Sequence, residues 1–253
     1  ADMTDRPVLA VENLVLQIGG ALIIDDVSLS VGKGEMLGVI GPNGAGKTTL
    51  FNLISGVLPP TSGRVLVHGD DVSKLSIQRR ARVGLGRTFQ TSSLFAGLDA
   101  LENVRLAVQV ALGGELSLLK APRRGDAAAI AAAEKLDEVN LGHHSSTIAG
   151  TLSHGDKRKL EIAMLLATDP SVILLDEPMA GVSSGDVPEL VEVIRRVHRS
   201  GRTVLMVEHH MDVVLGLVDT VAVMHHGSLL AHDTPDVVMA DATVQAAYLG
   251  ESL

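Results

Sequence analysis

The chain has 253 residues, 30 acidic against 21 basic, for a formal net charge of −9, and 46% of its residues are hydrophobic but only 2% aromatic. That length and apolar content suffice for one large α/β domain or two small ones. The acid balance argues against broad binding to a nucleic-acid backbone, the scarcity of aromatics against base stacking, and the absence of cysteine excludes disulfides, thiolate-bound zinc and thiol catalysis.

The start, Ala1 to Arg6, is polar and carries no apolar segment of a secretory signal. No apolar run approaches the roughly 18 residues that a membrane span needs. Residues 8–18 and 21–31 read as two strands joined by Gly19-Gly20, a hairpin signal. The apolar run Met36-Leu-Gly-Val-Ile40 reads as a strand, and Thr49-Leu-Phe-Asn-Leu-Ile54 has helical spacing. Residues 63–69 form a further short strand between turn residues, and residues 83–90 end in another. Residues 98–112 have helical spacing. Residues 113–125 break it with glycine, proline and basic residues and read as a surface loop. Asp126 is placed to cap a helix running to about Val139, with Ile130, Ala133, Leu136 and Val139 on one face. After Thr151 the order is helix, strand (172–175), helix (about 186–198), strand (203–207), helix, and strands near 221–224 and 229–231. Strands alternating with helices predict a largely parallel sheet with helices on both faces.

Between the strand at 36–40 and the helix after it lies Gly41-Pro-Asn-Gly-Ala-Gly-Lys-Thr-Thr49, which fits the phosphate-loop pattern with Gly41, Gly46, Lys47 and Thr48 at its fixed positions. Glycines let backbone N–H groups close around a polyphosphate, and the helix N-terminus adds partial positive charge. The nucleotide-binding set is therefore Gly41, Asn43, Gly44, Ala45, Gly46, Lys47, Thr48 and Thr49. Lys47 is expected to reach the β- and γ-phosphates, and Thr48 to offer its hydroxyl to Mg²⁺.

Ser171-Val-Ile-Leu-Leu-Asp-Glu-Pro178 is a buried-type strand ending in two acids. In a parallel sheet such an end points into the crevice beside the phosphate loop. Asp176 is expected to hold Mg²⁺, and Glu177 to orient or deprotonate an attacking water. Ser153, in Leu152-Ser-His-Gly-Asp156, opens a helix either as a structural N-cap or as a phosphate-binding terminus.

With these stretches in order, joined by Arg87-Thr-Phe-Gln90 and Val207-Glu-His209, the chain resembles the ATP-binding-cassette ATPases over nearly its full length. The resemblance implies a P-loop α/β fold: a RecA-like core with an antiparallel β subdomain and an inserted helical subdomain. It implies one such domain over residues 7–250, with the helical part at about 91–168. It assigns Gln90 to Mg²⁺ or water and to sensing a membrane partner, and His209 to the γ-phosphate. His210 receives no role. The family works as a dimer, so Ser153 and Gly155 would meet ATP held by the other subunit.

Finer details resemble the ATPase subunits of importers for branched-chain amino acids, amides and urea: Gly86-Arg-Thr-Phe-Gln90, Leu160-Glu-Ile-Ala163, Val207-Glu-His-His-Met211 and the ending Ala247-Tyr-Leu-Gly-Glu251. The implied partners are transmembrane permeases, a second cassette subunit and, indirectly, an external solute-binding protein, with the chain held peripherally at the cytoplasmic face of the inner membrane. No nucleic-acid partner is expected. A lipopolysaccharide-type exporter ATPase or a soluble non-transport cassette is the alternative. Three positions depart from the family pattern. Ile18 stands where an aromatic usually stacks on adenine, His154 and Asp156 stand within the signature, and Ser183 stands where the following loop usually has Asp or Asn.

Overall fold

The computed structural model describes residues 6–88, 94–112 and 127–249. In chain order the first elements are β1 (Leu9–Ile18), β2 (Ala21–Val31), β3 (Met36–Ile40), α1 (Lys47–Ser55), β4 (Ser62–Val67), β5 (Asp70–Asp71), α2 (Ile77–Arg82) and β6 (Leu85–Arg87). The helices α3 (Ala100–Ala111), α4 (Ala127–Glu138) and α5 (His154–Leu166) follow, then β7 (Val172–Asp176), α6 (Val187–Arg199), β8 (Thr203–Val207), α7 (Met211–Leu215), β9 (Thr220–His225), β10 (Ser228–Asp233), α8 (Pro235–Ala240) and α9 (Ala242–Leu249). They fall into two compact units: Ala1–Arg87 with Ser171–Glu177 and Gly201–Leu253, and Thr88–Pro170 with Pro178–Ser200. Among the described residues no helix is long and apolar enough to cross a membrane.

The first unit holds two sheets. Antiparallel pairing gives the order β2-β1-β4-β5. Gly19 and Gly20 both take positive φ, 55° and 87°, as the two-residue turn between β1 and β2 demands. The other sheet has the order β10-β9-β3-β8-β7-β6; β9, β3, β8, β7 and β6 run parallel, and β10 returns antiparallel on β9. Every residue of β3, β7 and β8 is buried, as expected of strands covered on both faces. Alternation assigns the faces. Leu37, Val39, Leu174, Leu205 and Val207 join Leu50, Phe51 and the apolar residues of β1 and β2 in one core. Gly38 points the other way, and a methyl group there would meet Val214 of α7 at 2.6 Å.

Helix α2 is absent from the sequence-based expectations, because Ile-Gln-Arg-Arg-Ala-Arg is short and shows no apolar period. Its Arg80 is buried and donates to the carbonyls of Leu53 and Ile54 at 2.7 and 2.6 Å, and to Ser73 and Leu75. It thereby satisfies carbonyls that the end of α1 leaves unpaired. Helices α8 and α9 were likewise not anticipated.

The second unit is helical. Asp99 caps α3 by accepting from the Glu102 N–H at 2.7 Å, and the buried Asn103 donates to the carbonyls of Phe95 and Asp99. One expectation fails in α4. Ile130, 55% exposed, and Ala133 face solvent, while Ala128, Ala132 and Leu136, with Val139 beyond the helix end, are buried. The stretch is nearly all alanine, so its composition carries no contrast from which to phase the buried face. Small alanines suit close helix packing and leave the one bulky β-branched residue outside. The expected loop at 113–125 and the Asp126 cap lie outside the described residues.

Candidate active site

Parallel alignment of β3, β7 and β8 brings Ile40, Asp176 and Val207 to the same edge of the sheet, with Val39 and Asp176 both opposite Val207 across β8. The phosphate loop leaves β3 there. Gly41 takes φ 149°, and a Cβ on it would lie 2.1 Å from the Met224 carbonyl oxygen; only glycine lets the loop pass β9 this closely. The Gly227 N–H donates to the Ala45 carbonyl at 3.0 Å, and the Asp25 N–H to the Gly227 carbonyl at 2.9 Å, so the β9–β10 turn and β2 both brace the loop. Gly46, at φ 99°, caps α1 without a side-chain acceptor. The first N–H groups of α1 are thus left for a ligand.

A cleft of about 280 Å³ is lined by Ile23, Asn43, Gly44, Ala45, Gly46, Lys47, Thr48, Thr49, Glu177 and His209. The Lys47 ammonium donates to the carbonyls of Gly41 and Pro42 at 2.6 and 2.9 Å. A buried cation held on its own loop is positioned to exchange those carbonyls for phosphate oxygens.

Glu177, just past β7, has φ 49°, a left-handed conformation that costs about 1–3 kcal/mol and recurs at functional sites. Its N–H donates to the Val207 carbonyl at 2.9 Å, which docks it on the end of β8. His209 Nε2 lies 2.9 Å from Glu177 Oε1. A carboxylate oxygen accepts, so Nε2 carries the hydrogen and Nδ1 is left as the acceptor. The His209 N–H in turn donates to the buried carboxylate of Glu208 at 3.0 Å, and His210 Nδ1 lies 3.1 Å from the same oxygen. Glu208 and Ile23 received no role in the sequence. The Glu208 signal is a carboxylate directly after an all-apolar strand; Ile23 carries none.

Asp176 ends β7, and its fully buried side chain accepts from the Arg87 guanidinium at 2.7 Å. With Thr48 it offers hydroxyl and carboxylate oxygens, the hard donors that Mg²⁺ takes in small number when phosphates complete its shell. The glycine cradle and Lys47 fit a polyphosphate, so these residues suit a magnesium nucleotide. Gln90 lies outside the described residues. Ile18 is 55% exposed at the tip of β1 and is not among the residues lining the cleft, whereas Ile23 is.

In the second unit Ser153 caps α5. Its oxygen accepts from the Asp156 N–H at 3.0 Å and its hydroxyl donates to Asp156 Oδ2 at 2.9 Å. The Lys159 ammonium bridges Asp156 and Glu189, each at 2.9 Å, and Asn140 donates to Glu189 at 2.8 Å. Burial pushes the Asp156 carboxyl up, but hydrogen bonds from Lys159 and Ser153 outweigh it and hold it below the ordinary range. Burial likewise pushes Lys159 down, and its bonds to Glu189 and Asp156 outweigh that and raise it. The hydrogen bond from Lys159 holds Glu189 low, against a smaller effect of burial. Gly155 is buried beneath Asp186, where an added Cβ would lie 3.0 Å from the Asp186 Cβ.

Residues 24–180 match the family model described as "ABC transporter", and residues 228–253 match "Branched-chain amino acid ATP-binding cassette transporter". The chain is 38% identical to the high-affinity branched-chain amino acid transport ATP-binding protein LivG of Escherichia coli K12 over 98% of its length and 99% of the relative. It is 36% identical to the lipopolysaccharide export system ATP-binding protein LptB of the same organism, over 96% and 97% of the two chains. Among solved structures, the ADP conformation of MJ1267, an ATP-binding cassette of an ABC transporter, aligns with a TM-score of 0.85 at 32% identity, covering 97% of this chain and 99% of that one.

Proposed function

The chain belongs to the ABC transporter family of ATP-binding cassettes, and on that premise we propose that it hydrolyses ATP to energise an importer of branched-chain amino acids or related amide and urea solutes. The observation that carries the chemistry is the single cleft that gathers the phosphate loop, Glu177 and His209. Lys47 and the loop N–H groups hold the β- and γ-phosphates of ATP. Glu177 takes a proton from the attacking water, and His209, oriented by its contact with Glu177, faces the γ-phosphate. Thr48, Gln90 and Asp176 hold Mg²⁺, which would supply charge neutralisation of the phosphate oxygens. Ser153 and Gly155, at the start of α5, meet ATP bound by a second cassette subunit, of the same or another kind.

ATP binding then favours the closed pair, and hydrolysis with product release the open one. The partners are membrane permeases, served by an external solute-binding protein, with the chain peripheral at the cytoplasmic face of the inner membrane. The helical unit offers a cavity of about 480 Å³ walled by residues that include Leu94, Ala96, His154 and Arg158. It adjoins the segment 91–102, where permease docking is expected. The C-terminal match to branched-chain transporters favours import over the export reading that similarity to LptB would support.

Glu177→Gln tests the chemistry. It keeps the shape and removes the base, so ATP affinity should be retained while turnover falls about 100-fold or more. Turnover at the wild-type rate would remove Glu177 from the mechanism.

A further inference from the structure

The resemblance gives Gln90 a role but none to Arg87, three residues earlier. Arg87 ends β6, beside β7 in the parallel register Arg87↔Leu174. Its side chain is only 6% exposed. One arm, Nη2, donates to Asp176 Oδ2 at 2.7 Å. The other, Nη1, donates to Asn52 Oδ1 at 2.8 Å and to Ser55 Oγ at 2.7 Å, both on α1. The guanidinium carbon stands 6.0 Å from the centre of the Phe51 ring, also on α1. Arg87 therefore ties the carboxylate at the end of β7 to the helix that begins with Lys47 and Thr48.

We infer that Arg87 is a positioning residue for the metal: it fixes the Asp176 carboxylate in the orientation from which it serves Mg²⁺. The inference rests on the reading of Asp176 as a metal-holding residue. A planar guanidinium presents its donors in a fixed fork, so one side chain orients a carboxylate and stays anchored to α1 at once. A lysine ammonium is a compact point charge and cannot span these partners together. Groups that orient a metal ligand typically govern affinity by about 10–100-fold although they never touch the metal.

The test is calorimetric binding of ATP across a Mg²⁺ series, in the Glu177→Gln background so that nothing turns over. Arg87→Lys keeps the charge and loses the fork, which separates orientation from electrostatics. The half-saturating Mg²⁺ concentration should rise about 10-fold, with metal-free ATP binding unchanged. Asn52→Ala removes one anchor on α1 and leaves the ion pair; it should shift Mg²⁺ dependence the same way by less, and it decides the matter if Arg87→Lys fails to fold. Unchanged or lowered Mg²⁺ requirement in the folded variants overturns the inference. Asp176→Asn separates the two levels. If it shifts Mg²⁺ dependence and the Arg87 and Asn52 variants do not, the role of Arg87 alone falls. If Asp176→Asn shifts nothing, the reading of Asp176 falls and the inference with it.

Discussion

Replacing Lys159 with methionine removes an ammonium and keeps an unbranched stem of similar volume, so little cavity is created. The Lys159 side chain is 3% exposed, against 19% for Asp156 and 47% for Glu189. Breaking a fully buried pair by removing one partner costs about 3–5 kcal/mol. Asp156 keeps the Ser153 hydroxyl and some solvent, which brings its share to about 2 kcal/mol. Glu189, half in water, is worth no more than about 0–1 kcal/mol. The expected loss is therefore about 2–3 kcal/mol at neutral pH, read by urea unfolding. A double-mutant cycle with Asp156→Asn should recover most of that as coupling, and one with Glu189→Gln should recover little.

The pH dependence has a definite sign. Asp156 and Glu189 titrate below their ordinary range when folded, so their contribution is present at neutral pH and is lost as pH falls through the lowered values. Lys159 is raised, so its contribution is present at neutral pH and lost only as pH rises through its raised value. Lys159→Met should flatten the stability profile at both ends. Unchanged neutral-pH stability, or stronger coupling to Glu189 than to Asp156, would refute the reasoning.

Gly41→Ala places a Cβ 2.1 Å from the Met224 carbonyl, and Gly44→Ala, also at positive φ, meets nothing within 4 Å. Nucleotide binding should fall about 30–100-fold in the first, from about 2–3 kcal/mol of strain and displacement, and clearly less in the second; equal effects would contradict the cradle geometry. Ile18 lacks a π-system, so ATP and GTP should bind with similar affinity, and Ile18→Tyr should tighten ATP about fivefold through a stacking gain of about 1 kcal/mol. Competition with a fluorescent nucleotide measures both, and a strong wild-type preference for ATP would sink the argument.

The catalytic edge was legible because its parts obey local rules. A parallel all-apolar strand must end at the crevice, which places Asp176 and Glu177 from Val172-Ile-Leu-Leu alone, and the phosphate loop carries its own strand and helix. Arg87 and Glu208 were not legible as buried partners. A lone charged residue beside a short strand reads the same whether it faces water or a carboxylate brought in by β7 or β8. Ile23 is similar: alternation in β2 assigns its face, but which face borders the nucleotide cleft depends on how the antiparallel sheet packs over α1. The departure at Asp156 also gains a physical account. It caps α5 with Ser153 and anchors on Lys159, which a signature read as a string of letters does not disclose.

The most direct test of the transport assignment is affinity purification of the tagged Glu177→Gln chain from native membranes in gentle detergent with Mg-ATP. Recovery of permease subunits of an amino-acid or amide importer together with a second cassette subunit is the predicted result. Recovery of exporter permeases, or of soluble partners alone, would contradict it.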